Sequence, residues 1–351
     1  MPVISGIQQI GIGIPQVYDA FDWYRKNLGM DIQVFDEAAE AALMLPYTGG
    51  KPQKRHAILA INIQGGGGLE IWQYTSRVPQ PAKFQIQLGD HGIFIAKYKS
   101  RNVKAAYESF KNKGIDLVGD LSKNPMGKDH FYLKDPYGNL CEVVESDNWF
   151  KNYKSDTGGV YGCVIGVSDI EKARTVYSDL LGYDEVLCDT TGIFDDYKGL
   201  PGGSNKFRRL ILKNSKKREG AFGRLLGDAE IELVQVLDRD ARKIFINRFW
   251  GDLGYIHLCF DINGMEKLRQ KCEAKGYPFT ADSSDSFDMG EAAGHFSYIE
   301  DPDGTLIEFV ETHKVPILKK LNLYLNLRKR DPKKPLPNWV VGSLAFNRVK
   351  S

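Results

Sequence analysis

The sequence predicts an α+β protein made of four β-α-β-β-β modules arranged as two tandem domains, and three observations predict it. HFYLKDPYGNLCEVVE (130–145) returns as FSYIEDPDGTLIEFVE (296–311), so that Asp135-Pro136-x-Gly138 recurs as Asp301-Pro302-x-Gly304 at an offset of 166. FDWYRKNLGM (21–30) corresponds to ARTVYSDLLGY (173–183). Strand-like segments recur in the same order: GGLEIWQY (67–74) with AEIELVQV (229–236), and HGIFIA (91–96) with HLCFDI (257–262). Ordered self-similarity of this kind marks a duplication. It divides the chain into halves at 1–150 and 156–313, followed by a tail at 314–351.

Each element has a local cause. Val17, Phe21, Tyr24 and Leu28 fall on one helical face before Gly29, as do Ile170, Ala173, Tyr177 and Leu180 before Gly182. Helices near 102–113 and 264–275 stop at Gly114 and Gly276, the usual left-handed cap position. HAILAINI (56–63) and LEIWQY (69–74) read as strands. Gly65–Gly68 between them reads as a hairpin turn, since no Lys-Ser/Thr follows to make a phosphate loop. A sheet curled into a half-barrel with its helix outside leaves a concave inner face open.

Composition excludes several classes. With 351 residues, 42% hydrophobic and 26% charged, the chain has material for two domains of about 150 residues. No run reaches the ~20 apolar residues of a membrane span, and MPVISGIQQIGIGIPQ lacks the pattern of a signal peptide. Five scattered cysteines, never CxxC, point to reduced thiols and a cytoplasmic location. The net charge of +2 does not suggest nucleic acid. From Lys314 onward ten Lys/Arg stand against one acid, +9, which leaves −7 on the preceding residues. A basic tail on an acidic body is expected to dock on it. The expected partner is a small-molecule substrate, and the expected assembly a monomer or homodimer.

Alternation along strands selects candidate site residues. In QQIGIGI, Ile10, Ile12 and Ile14 share the face under the helix, while Gln9, Gly11 and Gly13 share the other. Glu70 faces with Trp72, His91 with Ile93 and Ile95, Glu142 with Leu140 and Val144, and Glu308 with Leu306 and Val310. A carboxylate among apolar neighbours needs a partner or a metal. Arg208 and Arg209 lie on a strand and read as surface or paired residues, and the Phe21, Tyr24 and Tyr177 faces read as core.

With the Y-x-x-x-LG blocks (Tyr24 to Gly29, Tyr177 to Gly182) and the two DPxGxxxE strands, the chain resembles the vicinal oxygen chelate superfamily over residues ~5–312. That group includes glyoxalase I and the extradiol dioxygenases. The resemblance implies two tandem glyoxalase-like domains and one divalent metal ion (Ni, Co, Mn, Fe or Zn) on a concave face. The ligands it implies are Gln9, Glu70, His91 and Glu142 in the first half and Glu232, His257 and Glu308 in the second, where Gly162 stands at the first ligand position. The ligands combine either within each half, or across halves as Gln9 and Glu70 with His257 and Glu308, and Glu232 with His91 and Glu142. The resemblance implies a lyase or isomerase moving a proton beside a metal-bound enediolate, with Glu142 or Glu308 as base. Gly13 and Tyr74 stand where glyoxalase I places its glutathione-binding Arg and Asn, which argues against glutathione thioesters. The alternatives are an extradiol-type ring-cleaving dioxygenase, whose Tyr-to-Glu stretch is matched from Tyr132 to Glu142, and a non-catalytic small-molecule-binding protein.

Overall fold

The structure is a computed structural model and describes residues 2–284, 287–289, 292–318 and 323–349. Four modules follow one another. The first comprises β1 (Val3–Gly13), α1 (Val17–Asn27), β2 (Ile32–Glu40), β3 (Lys54–Ile61) and β4 (Gly68–Tyr74). The second comprises β5 (Gly92–Ser100), α2 (Val103–Asn112), β6 (Leu117–Lys123), β7 (Asp129–Lys134) and β8 (Leu140–Glu145). The third comprises β9 (Val160–Gly166), α3 (Ile170–Arg174), β10 (Glu185–Gly192), β11 (Phe207–Lys213), the short α4 (Gly223–Leu226) and β12 (Glu230–Val236). The fourth comprises β13 (Gly254–Asn263), α5 (Met265–Ala274), β14 (Ala281–Asp282), β15 (Phe287–Met289), β16 (Ala292–Glu300) and β17 (Leu306–Thr312). The predicted helices and their glycine stops are all present, with Gly29, Gly114, Gly182 and Gly276 at φ of +63°, +68°, +76° and +83°.

The modules do not pair in the order of the chain. One sheet runs β14-β16-β17-β13-β1-β4-β3-β2, joining the first module to the fourth, with β15 paired to β16. The other runs β10-β11-β12-β9-β5-β8-β7-β6, joining the second to the third. Residues 1–150 and 156–313 are therefore units of sequence, whereas each sheet is shared between them. In both sheets two first strands meet antiparallel at the centre, β1 with β13 and β5 with β9, and each is flanked by a parallel last strand of its own module.

The two recurrent motifs meet each other. Tyr24 of α1 donates its hydroxyl to Asp135, and Tyr177, in the widened turn that continues α3, donates to Asp301 at 2.9 Å. Each Asp also holds its own DPxG turn, Asp301 accepting from the Asp303 and Thr305 amides at 2.9 and 2.8 Å. Module 1 is thereby tied to module 2, and module 3 to module 4, across the two sheets. Strand and helix side chains fill one continuous apolar core, including Ile10, Ile12, Phe110, Phe131, Leu258 and Phe309.

The basic tail folds back onto the body, where an apolar cluster, main-chain bonds and ion pairs all fasten it. Val315, Leu327, Leu336, Val340 and Leu344 join Ile32, Ile61 and Leu225 in a separate apolar cluster. Main-chain bonds add Leu336 to Ala221 at 2.9 Å and Val349 to Asp31 at 2.9 Å. Arg348 pairs with Asp31, and Lys333 with Glu219 at 3.3 Å on the exposed surface. All five cysteines are free, and among the described residues no helix is long and apolar enough to cross a membrane.

This packing generates a contrast measurable by denaturant unfolding. Leu336→Ala, at a fully buried position, should cost about 2–5 kcal/mol. Raising salt to ~1 M, which screens exposed pairs, should leave the tail protected from protease. Release of the tail by salt alone would show that charge holds it.

Candidate metal centre

The four central strands of the first sheet, β17-β13-β1-β4, each present one polar side chain to the concave face: Glu308, His257, Gln9 and Glu70. Register brings them together. Gly11 pairs with both His257 and Glu70, and Cys259 pairs with both Gln9 and Glu308. The imidazole occupies the space left by Gly11, where an added Cβ would come within 2.3 Å of its Cε1.

His257 Nε2 lies 3.3 Å from Glu70 Oε2 and 3.1 Å from Glu308 Oε2, and Gln9 donates its amide to Glu70 at 3.3 Å. One ligand atom from each of Glu70, His257 and Glu308 falls within 4.8 Å of the others. Beyond the Gln9–Glu70 bond the convergence is poorly satisfied, because Gln9 Oε1, His257 Nε2 and Glu308 Oε2 are buried without an aligned partner. Burial pushes the imidazole pKa down, but the carboxylates of Glu308 and Glu70 outweigh it and raise it to about 10. Two carboxylates, an amide oxygen and one imidazole aimed at a common point suit a divalent ion with water completing its shell. These residues fit the metal that the fold implies.

The wall around them is aromatic. Tyr298, paired with Glu308 across the ladder, meets the His257 ring edge-on at 5.7 Å. Trp250 lies parallel to that ring at 6.3 Å and against Trp72 at 4.7 Å. Above Gln9, Glu70 and Glu308 opens a cavity of about 410 Å³.

The second sheet has the same lattice with different occupants. Glu232 pairs with Val164 as Glu70 does with Gly11, and Glu142 with Lys97 as Glu308 does with Cys259. Gly162 takes the place of Gln9 and Ile95 that of His257. At the centre stands Lys97, fully buried, its ammonium bonded to Glu232 and 3.2 Å from Glu142. Arg209 binds Glu232 and Asp196, His130 Nδ1 lies 2.8 Å from Glu142, and Tyr197 donates to Glu232 at 2.5 Å. Burial pushes the Glu142 and Glu232 carboxyls up, but the neighbouring cations outweigh it and lower both. The same carboxylates hold the Lys97 pKa above its usual range against the effect of burial. An ammonium thus occupies the middle of the second concave face, and Arg209 has the paired role that its strand position suggested.

The predicted ligands therefore sort themselves. Gln9, Glu70, His257 and Glu308 come together, the cross-half combination. Glu142 and Glu232 come together around Lys97 rather than with His91. His91 precedes β5, with its Nδ1 3.7 Å from Asp303 at the seam between sheets. The resemblance of HGIFIA to HLCFDI is off register, because strand pairing places Ile95, not His91, opposite the counterpart of Gly11. Lys97, Asp196 and Tyr197 were missed. The legible signal was Lys97 itself, a cation sharing a strand face with Ile93 and Ile95. A Gln at Gly162 would not restore a ligand, since a Cβ there would fall 1.7 Å from the Glu230 carbonyl oxygen.

Sequence profiles of the Glyoxalase/Bleomycin resistance protein/Dioxygenase superfamily match residues 6–143 and 163–296. Among curated proteins none matches significantly. A putative dioxygenase from Bacillus subtilis subsp. subtilis str. 168 is similar in structure, with 13% identity, a TM-score of 0.56, and coverage of 88% of this chain and 86% of that one. Glyoxalase I from Zea mays is similar at 12% identity and a TM-score of 0.53, over 89% of this chain and 92% of that one.

Two substitutions test the contrast between the faces. Lys97→Met should destabilise by about 3–5 kcal/mol, the usual cost of stripping one partner from a buried pair, and adding Glu142→Gln should recover part of that loss. A neutral Lys97→Met in thermal unfolding would refute the structural role. Gly11→Ala should displace the His257 ring while leaving far-UV circular dichroism intact, visible as a shifted imidazole resonance; an unmoved resonance would contradict the packing.

Proposed function

The chain belongs to the Glyoxalase/Bleomycin resistance protein/Dioxygenase superfamily, and from that premise we propose that it is a metal-dependent lyase or isomerase with its active site on the face of Gln9, Glu70, His257 and Glu308. The observation that carries this reading is the convergence of Glu70, His257 and Glu308, with His257 Nε2 and Glu308 Oε2 left without an aligned hydrogen-bond partner. A divalent ion held there supplies Lewis acidity to two adjacent oxygens of a substrate.

The chain's own residues do the rest. Glu308 borders the cavity with Oε2 lacking an aligned partner, and it takes the proton from the hydroxyl-bearing carbon beside the substrate carbonyl and returns it to the carbonyl carbon, while the hydroxyl proton passes to the former carbonyl oxygen. Gln9 steadies Glu70 through its amide. Trp72 and Trp250 keep water from the floor of the cavity, which strengthens the electrostatics there. Glu142 does not serve as base, because the Lys97 and His130 contacts engage it in a fully buried cluster. A single imidazole with two carboxylates favours proton transfer over the two-His-one-carboxylate arrangement of non-heme iron oxygenases.

Metal analysis tests the site and isotope exchange tests the reaction. Protein reloaded with Ni, Co or Zn should hold one equivalent per chain, retained in His91→Ala and lost in His257→Ala. Glu308→Gln should lower solvent-deuterium exchange into an α-hydroxycarbonyl compound at least a hundredfold. Metal retained by His257→Ala would refute the site. Iron with oxygen uptake on catechols would favour the dioxygenase instead, and loading without any turnover would favour a binding protein.

A further inference from the structure

The cavity above the candidate centre is not closed by the duplicated modules alone. Part of its wall is made by Phe222 and Leu225, from the segment before β12, and by Val315 and Leu344 of the tail. The tail is fastened there by main-chain bonds and by its own apolar cluster, so this wall is a built part of the pocket. Its chemistry is selective. The described lining residues include four acids, Glu37, Glu40, Glu70 and Glu308, and two cations. Of the cations, Arg55 binds Glu37 at 3.1 Å, and Lys314 places its ammonium 3.9 Å over the Tyr324 ring. With Glu70 and Glu308 holding the metal and Arg55 paired to Glu37, the lining carries no surplus positive charge for an anionic extension on a ligand, whereas an apolar one would meet aromatic and aliphatic side chains.

We infer that the C-terminal segment is a specificity-determining wall, and that the pocket takes a neutral molecule whose two adjacent oxygens carry an apolar body. The oxygens face Glu70 and Glu308, and the apolar body lies between Leu59 on β3 and Val315 and Leu344 on the tail. This assignment rests on the metal reading above for the orientation of the head. A cavity of about 410 Å³ accommodates a ligand of that kind. Binding against the tail removes apolar surface from water, so each added methylene should tighten it.

A series of 4-alkylcatechols from methyl to hexyl, titrated into the Zn-loaded full chain by calorimetry, tests the inference. Affinity should rise about threefold to fourfold per methylene, and a 4-(ω-carboxyalkyl)catechol of equal length should bind at least tenfold more weakly. Leu344→Ala should flatten the chain-length gain, costing the hexyl compound more affinity than the methyl one. The carboxylate comparison uses the wild-type protein, so the inference stays open to refutation should that variant fold poorly. A flat series, or equal binding of the carboxylate analogue, would overturn the apolar wall even where binding depends on Zn. A steep series that persists after removal of Zn supports the wall and refutes the metal reading instead.

Discussion

The antiparallel pairing of β1 with β13 is the constraint on which the site depends. It joins the first strand of the chain to a strand near its end, and one register, Gly11 opposite His257 and Gln9 opposite Cys259, sets the polar residues on a common face. Strand side chains alternate, so a slip of one residue would turn the imidazole into the apolar layer under the helices. The missing Cβ of Gly11 and the flanking parallel strands β4 and β17 then fix the distances among Glu70, His257 and Glu308. Nothing in either half alone supplies this geometry.

The second sheet shows what the same lattice becomes when its occupants change. A buried carboxylate pair must be compensated, by a metal, a proton or a cation. In one sheet the polar atoms are left converging on a point. In the other Lys97 reaches that point, and Arg209 and His130 complete the neutralisation. Glu142 and Glu308 occupy equivalent positions in equivalent motifs, yet only Glu308 borders the large cavity. Duplication copied the scaffold, and the side chains of the two central strands made its two faces different.

The fold was legible because its signals are local. The Y-x-x-x-LG blocks and DPxG turns recur in sequence, and the structure gives them a shared cause in the bonds of Tyr24 with Asp135 and Tyr177 with Asp301. Gln9, Glu70 and Glu308 were legible from alternation, since each shares a strand with apolar residues facing one way. The pairing of modules was not legible, because both arrangements satisfy the same local pattern. His91 was misplaced for a related reason: an H-x-x-F echo is a likeness of letters, whereas the register of β5 is set by β9 and β8. Lys97 went unread because a lysine in a strand is ordinarily a solvated residue, and only the neighbouring strands reveal that its end is enclosed.

The exchange of modules also orders the birth of the protein. The second sheet is drawn from a contiguous stretch, Gly92 to Val236, and its strands can pair as soon as that stretch has left the ribosome. The first sheet must wait, since Gly11 and its partner His257 are separated by 246 positions. At roughly 5–20 residues per second, β1 and β4 exist for about ten to fifty seconds before β13 is made. During that interval β1 presents an unpaired edge, a hazard for wrong association. The second sheet, with its internal salt cluster, can thus be completed early, and the face of Gln9, Glu70, His257 and Glu308 is assembled last.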